Sequence, residues 1–321
     1  MIGNKKSMLS LSFILLFLIP VIISFASAKP DGITCEEGQG GIIIQTNYMT
    51  LKIVESKPHF IWWNGNQSIA DEMYNVQFTK IQEFSGDDNI LDDKMELTGI
   101  SYNLLTSDWV TEIDEGENYV TVTLTLSGLA NGAEIQFVIN MYSEDKIIPG
   151  TDQIVEALTE VKFDIIINDW KFGPTATGLA LQTFILESQQ RNRVRIRNST
   201  VSENGNATRT MFFESEEYGS EKVAYYEWAN IADIYDGAVK VDTIEVGSAF
   251  FFDGSEGMGP GVPGMTTMYL TYPNYGDDLS LVHDPSVGIY PESFSVALYT
   301  LPIIGGLLLT TGIVMIIRKR K

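Results

Sequence analysis

From residue 119 to 128 the chain reads YVTVTLTLSG, with Val120, Val122, Leu124 and Leu126 alternating with Thr121, Thr123, Thr125 and Ser127. A strict period of two places the apolar set on one face of an extended chain and the hydroxyls on the other, as in a half-buried β-strand. Related runs recur at 48–54, 74–84, 133–142, 161–168 and 179–186, then at 210–214, 223–228, 238–246, 249–253 and 266–272. Between runs fall Asn64-Gly65, Asn131-Gly132, Asp236-Gly237 and Asp253-Gly254, pairs that tolerate the positive backbone angles of tight turns. No stretch here sustains a helical period; 153–160 has room for about two turns at most. The expectation is all-β: a large antiparallel β-sandwich, either one continuous sandwich or two tandem ones, with an internal break near 143–153.

The two ends carry a different pattern. Residues 296–317 (VALYTLPIIGGLLLTTGIVMII) hold no charge and are followed by Arg318-Lys319-Arg320-Lys321. At about 1.5 Å per residue such a run reaches roughly 33 Å, enough for a bilayer core. The expected organisation is a transmembrane helix over 294–317 and a cytoplasmic basic tail over 318–321. At the other end, Lys5 and Lys6 precede an apolar stretch and Ala26-Ser27-Ala28, so 1–28 reads as a signal peptide. Residues 29–272 would be the extracellular sandwich, and 273–293, rich in turn residues, a membrane-proximal stalk.

Charge then narrows the partners. The whole chain has 21 Lys+Arg against 42 Asp+Glu. Six of the cations lie in the two ends and every acid lies between Asp31 and Glu292, leaving 15 against 42, a net −27, for the part outside the membrane. Such a surface excludes nucleic acid as a partner and is repelled by anionic headgroups. It suits divalent cations, basic partners or plain solubility. One cysteine, Cys35, rules out an intramolecular disulfide framework.

Candidate chemistry is sparse. His59 and His283 are the only histidines, no spacing suggests a zinc site, and no catalytic motif is present. Gly259, Gly261 and Gly264 match a dinucleotide fingerprint in spacing alone. Two prolines interrupt it and a strand-like segment follows where a helix N-terminus should hold phosphate; 254–264 reads as a surface loop. Arg191, Arg193, Arg195 and Arg197 share one face of an extended segment, with Val194 and Ile196 opposite. That strip fits docking to an anionic glycan or to the acidic face of a neighbouring copy. It equally fits an edge strand whose charges block aggregation. Trp62 and Trp63, one turned inward and one outward, offer either a sugar-stacking platform or core packing. Asp87, Asp88, Asp92 and Asp93, with Asp114-Glu115-Glu117 and Asp277-Asp278, invite a structural calcium reading without EF-hand spacing. Asn66, Asn198 and Asn206 are glycosylation sequons.

In layout the chain resembles archaeal single-pass cell-surface proteins: signal peptide, acidic cysteine-poor β-sandwich, one C-terminal span, short basic tail. Pro291-Glu292-Ser293-Phe294 ahead of the span is similar to the tripartite tails processed by archaeosortases, with Ser293 interrupting the usual triplet. The resemblance implies a membrane-anchored protein displaying its ectodomain for binding a glycan or a protein partner. The alternatives are a structural envelope component that self-associates and, further off, a surface glycoside-active enzyme, which needs two carboxylates in a cleft. No cofactor is expected beyond the structural calcium.

Overall fold

The structure is a computed structural model that describes residues 32–65, 73–86, 90–147, 154–187, 192–201, 207–215, 221–250 and 265–290. The expected signal peptide over 1–28, the expected span over 294–317 and the basic tail lie outside the described residues. Among those described, no helix is long and apolar enough to cross a membrane.

The described chain is all-β and antiparallel, with a single 3-10 turn at Lys94–Glu96. Numbered in chain order, β1 (Thr34–Gly38), β2 (Gly41–Gln45), β3 (Met49–Val54), β4 (His59–Asn64), β5 (Tyr74–Phe84), β6 (Leu97–Asn103), β13 (Gly178–Glu187), β19 (Gly247–Ala249) and β20 (Met265–Pro273) form a nine-stranded sheet. Its order is β1-β2-β3-β4-β5-β13-β20-β19, with β6 also on β5. The second sheet holds β7 (Val110–Glu115), β8 (Tyr119–Leu126), β9 (Glu134–Tyr142), β12 (Glu160–Asn168), β14 (Asn192–Val201), β15 (Ala207–Ser215), β16 (Glu221–Ala229), β17 (Ile231–Asp236), β18 (Val239–Glu245), β21 (Ser280–His283) and β22 (Ser286–Ile289). A small hairpin, β10 (Lys146–Ile147) with β11 (Ile154–Val155), stands apart from both.

Alternation builds the core as the sequence predicts. Along β8 the burial runs strictly in step, with Val120, Val122, Leu124 and Leu126 buried and the threonines half-exposed. Phe60, Tyr74 and Phe78 from the first sheet meet Phe163, Phe213 and Phe137 from the second, with ring centroids 5.2, 4.8 and 5.0 Å apart. Such pairs add about 0.5–1.5 kcal/mol each beyond the area they bury.

One expectation changes. The stalk expected over 273–293 is instead folded in as far as residue 290: β21 and β22 lie against β12 in the interior of the second sheet. They keep one continuous register along β12 and are divided at Asp284-Pro285, where proline has no N–H for the ladder. Each half is too short to stand out as an alternating run. In the described part of 153–160, Ile154–Val155 is extended and 157–159 is a turn. Residues before and after 143–153 are joined by hydrogen bonds, β5 to β13 and β9 to β12, and the described residues group as one compact unit.

At β12 the second sheet forks. β22 leads to β16, β15 and β14, while β21 leads to β17 and β18. Along the first arm one cross-strand row runs Asp114, Thr121, Asn140, Lys162, Ser286, Glu227, Thr210, Arg197, residue opposite residue through eight strands.

Candidate functional site

The middle of that row is the most chemically loaded surface of the described chain. On β12 the core takes Val161, Phe163, Ile165 and Ile167, so alternation turns Glu160, Lys162 and Asp164 to the outer face. On β16 the same logic turns Tyr226 and Trp228 inward and Tyr225 and Glu227 outward. Register then assembles the group: Glu227 faces Ser286, which faces Lys162, while Tyr225 and Glu160 both face Gly288. Gly288 has to be glycine. The Tyr225 ring lies against its Cα, and a Cβ there would sit 2.3 Å from the ring carbon.

An outer sheet face is normally solvated; this one is largely covered. Val155, at the end of β11, is buried, and Thr159 is 8% exposed where the chain turns to enter β12. The Glu156 N–H donates to Glu160 Oε2 at 3.0 Å, and the Thr210 hydroxyl donates to Glu227 Oε2 at 2.5 Å. Burial pushes both carboxyls above the usual carboxylate range. For Glu160 the Glu156 N–H and the Ser286 hydroxyl offset part of this, while Glu227 and Glu156 add repulsion. For Glu227 the Thr210 bond alone offsets it. Burial also lifts the Tyr290 phenol to about 12, with Glu227, Glu156 and Glu160 adding to it, and raises Tyr225 further.

Beside this acidic pocket sits a compensated one. Lys162 Nζ lies 3.0 Å from Asp284 Oδ2 and 3.3 Å from Asp164 Oδ1. Burial works against the ammonium most strongly, yet Asp284 and Asp164 together outweigh it and its pKa rises. Asp164 is raised by burial despite Lys162. No ion pair among the described residues neutralises Glu160 or Glu227.

Chemically, the two glutamates are acceptors for hydroxyl donors in a setting that excludes much water. They are poorly suited to divided acid–base work. That needs two groups whose environments push their pKa values apart, and here both move the same way for the same reason.

The residues singled out by sequence are dispersed. Trp62 is fully buried, and its indole N–H donates across the sandwich to the Gly288 carbonyl at 3.2 Å. Trp63 turns to the outer face yet is only 5% exposed. Neither forms an open stacking platform, which corrects that reading. Arg193, Arg195 and Arg197 lie on β14, in register with Glu214, Phe212 and Thr210; Arg191 lies outside the described residues. Asn198 is also on β14, opposite Arg209, and Asn66 and Asn206 lie outside the described residues. Asp87 and Asp88 lie outside them too. Asp92 is exposed, and Asp93 caps the 3-10 turn, accepting the Met95 N–H at 2.8 Å. Asp277 accepts the Phe172 N–H, and Asp114 accepts the Tyr119 hydroxyl. Among the described residues no three of His, Cys, Asp or Glu are grouped as a metal site.

His59 sits on the outer face of the first sheet, its Nε2 within 3.0 Å of Asn75 Nδ2 and 2.9 Å of Gln77 Nε2, and burial lowers its pKa. Cys35 is half-exposed on the edge strand β1, its thiol pushed up to about 11 by burial and by Glu115, Glu37 and Glu36, so it is a poor nucleophile.

Sequence reasoning missed the Glu160–Glu227 pocket. Both are acidic residues at outward positions of ordinary strands, and nothing local announces that 154–159 and Tyr290 will cover them. No protein-family model matches the chain, and no curated protein matches it.

Proposed function

We propose that this chain is a membrane-anchored cell-surface protein that displays its sandwich for binding, with a glycan as the ligand class. The binding face is the outer surface of the second sheet around Glu160, Glu227, Tyr225 and Tyr290. One observation carries the reading: two partly desolvated carboxylates stand there with raised pKa values and, among the described residues, no ion pair to either, the nearby Lys162 being taken up by Asp284 and Asp164. Such an arrangement lowers stability, and perturbed acids of this kind concentrate at functional sites. Paired acceptors beside phenol rings match the hydroxyls and flat apolar faces of a sugar. The anchor reading rests on 296–317 and the basic residues after it.

The test is glycan-array binding by the full chain in detergent, comparing wild type with Glu227→Gln and Glu160→Gln. Selective retention lost in both variants supports the reading. Wild-type protein that retains no glycan, or variants that bind equally well, overturns it.

A further inference from the structure

The eight-strand row through the second sheet ends on opposite charges. At one extremity β7 pairs, among the described residues, only with β8, and Glu112 and Asp114 on it are exposed. At the other extremity β14 pairs, among the described residues, only with β15 and carries Arg193, Arg195 and Arg197 at alternate positions. Each edge alone repels its own kind: arginine against arginine on β14, carboxylate against carboxylate on β7. Like-charged edges are how sheets avoid extending onto themselves. Against each other the two edges are complementary.

We propose that β14 of one copy pairs edge to edge with β7 of a second copy of this chain, extending the second sheet from molecule to molecule. Strand direction permits it. Every step from β7 through β8, β9, β12, β22, β16 and β15 to β14 is antiparallel. After seven such steps β14 runs opposite to β7, so the next copy's β7 arrives antiparallel to it. One register satisfies charge and pleat together. Arg195 opposite Asp114 and Arg197 opposite Glu112 bring Ile196 opposite Ile113, with Asn198 opposite Thr111. Ile113 already packs against the core on the inner side of its own sheet, and period two puts Ile196 on the side away from the arginines. The contact is heterologous, joining two different surfaces, so it propagates as an open row instead of closing as a symmetric dimer. Main-chain hydrogen bonds supply affinity, and the arginine–carboxylate pairs fix register and exclude like edges.

The experiment is sedimentation velocity on the full chain in detergent micelles over a concentration series. Wild type is expected to form a ladder of oligomers. Arg195→Glu/Arg197→Glu and, separately, Glu112→Arg/Asp114→Arg are each expected to sediment as monomers. Mixing the two charge-reversed proteins at equal ratio restores the ladder, because each then offers the other a complementary edge; misfolded variants would not recover on mixing. Wild type that stays monomeric throughout overturns the proposal, as does a variant that still assembles or a mixture that fails to recover. A monomeric wild type that retains a sulfated glycan through the arginines would reassign the strip to a polyanion and likewise overturn it.

Discussion

The ring of His283 donates from Nε2 to the carbonyl oxygen of Ala229 at 2.8 Å. That carbonyl lies beside Asn230, where β16 gives way to β17 and the sheet forks. A carbonyl only accepts, so Nε2 carries the proton, and in the neutral ring Nδ1 then accepts from the Tyr272 hydroxyl at 2.9 Å. Tyr272 belongs to the opposite sheet, so one imidazole ties the fork of one sheet to the face of the other.

Replacing it should therefore be expensive. His283→Leu leaves the Ala229 carbonyl and the Tyr272 hydroxyl buried without partners, at about 1–3 kcal/mol per group. Denaturant unfolding of the full chain in detergent measures this, and a loss under 0.5 kcal/mol, roughly the bottom of the range for a net hydrogen bond, would refute the assignment.

The same residue sets an acid limit. Burial holds its pKa below 6.5, Lys162 adding to this while Asp284 and the Ala229 bond partly oppose it. The unfolded chain binds this proton more readily than the folded one, so the contribution is complete above pH 6.5 and is lost as pH falls below it. Wild type should lose melting temperature on acidification through that range. His283→Leu should lose less.

Glu227 works in the opposite sense. Its folded pKa is raised above 4.5, so the folded chain binds the proton more tightly, and stability declines as pH rises through the folded value. Glu227→Gln keeps an acceptor for Thr210 and removes the buried charge. It should raise the melting temperature at pH 8 by about 2–4 °C for each kcal/mol relieved, with a smaller difference at pH 4. A variant less stable than wild type at pH 8 would count against a desolvated carboxylate. Greater stability with weaker glycan retention is the usual exchange at a binding site.

Glu83 is buried for a structural reason, and the two carboxylates should behave differently. Its Oε1 accepts the Trp170 indole N–H at 3.1 Å and the Gly173 N–H at 2.9 Å; its Oε2 accepts the Ile100 N–H at 3.0 Å. Gly99, at φ +72°, leaves no room for a Cβ, which would lie 2.3 Å from Oε2. Glu83→Gln turns an amide donor toward a donor, so a loss of about 1–3 kcal/mol is expected, in contrast to Glu227→Gln. Parallel melting curves of the two variants separate the roles.

The sandwich itself was legible where a strand buries one face and exposes the other, as at Val120–Leu126. It was less so at β4, where His59-Phe60-Ile61-Trp62-Trp63 is apolar on both faces and has no alternation to read. β21 and β22 were illegible because their strand character comes from β12 beside them, while Pro285 and the surrounding turn residues suggest an irregular connection. The arginine strip could be read as a strand from spacing alone. Its place at the end of a row that begins at Asp114 could not, since register between distant strands is set by pairings no local pattern encodes. The Glu160–Glu227 pocket depended on the chain at Glu156 folding back onto Glu160, a contact no local pattern announces.

The interior place of β21 and β22 also bears on when the molecule can fold. The last described strands in the chain fill the position between β12 and the β16–β17 arm. A chain made N-terminus first therefore holds the other described strands with a central slot still open, and β16 and β17 have no neighbour on that side until residues 280–289 arrive. Long-range pairings of this kind are slow to form and leave unpaired strands in the meantime. Maturation is thus gated by completion of the C-terminal end, and a chain interrupted before residue 280 would expose a gap in its largest sheet.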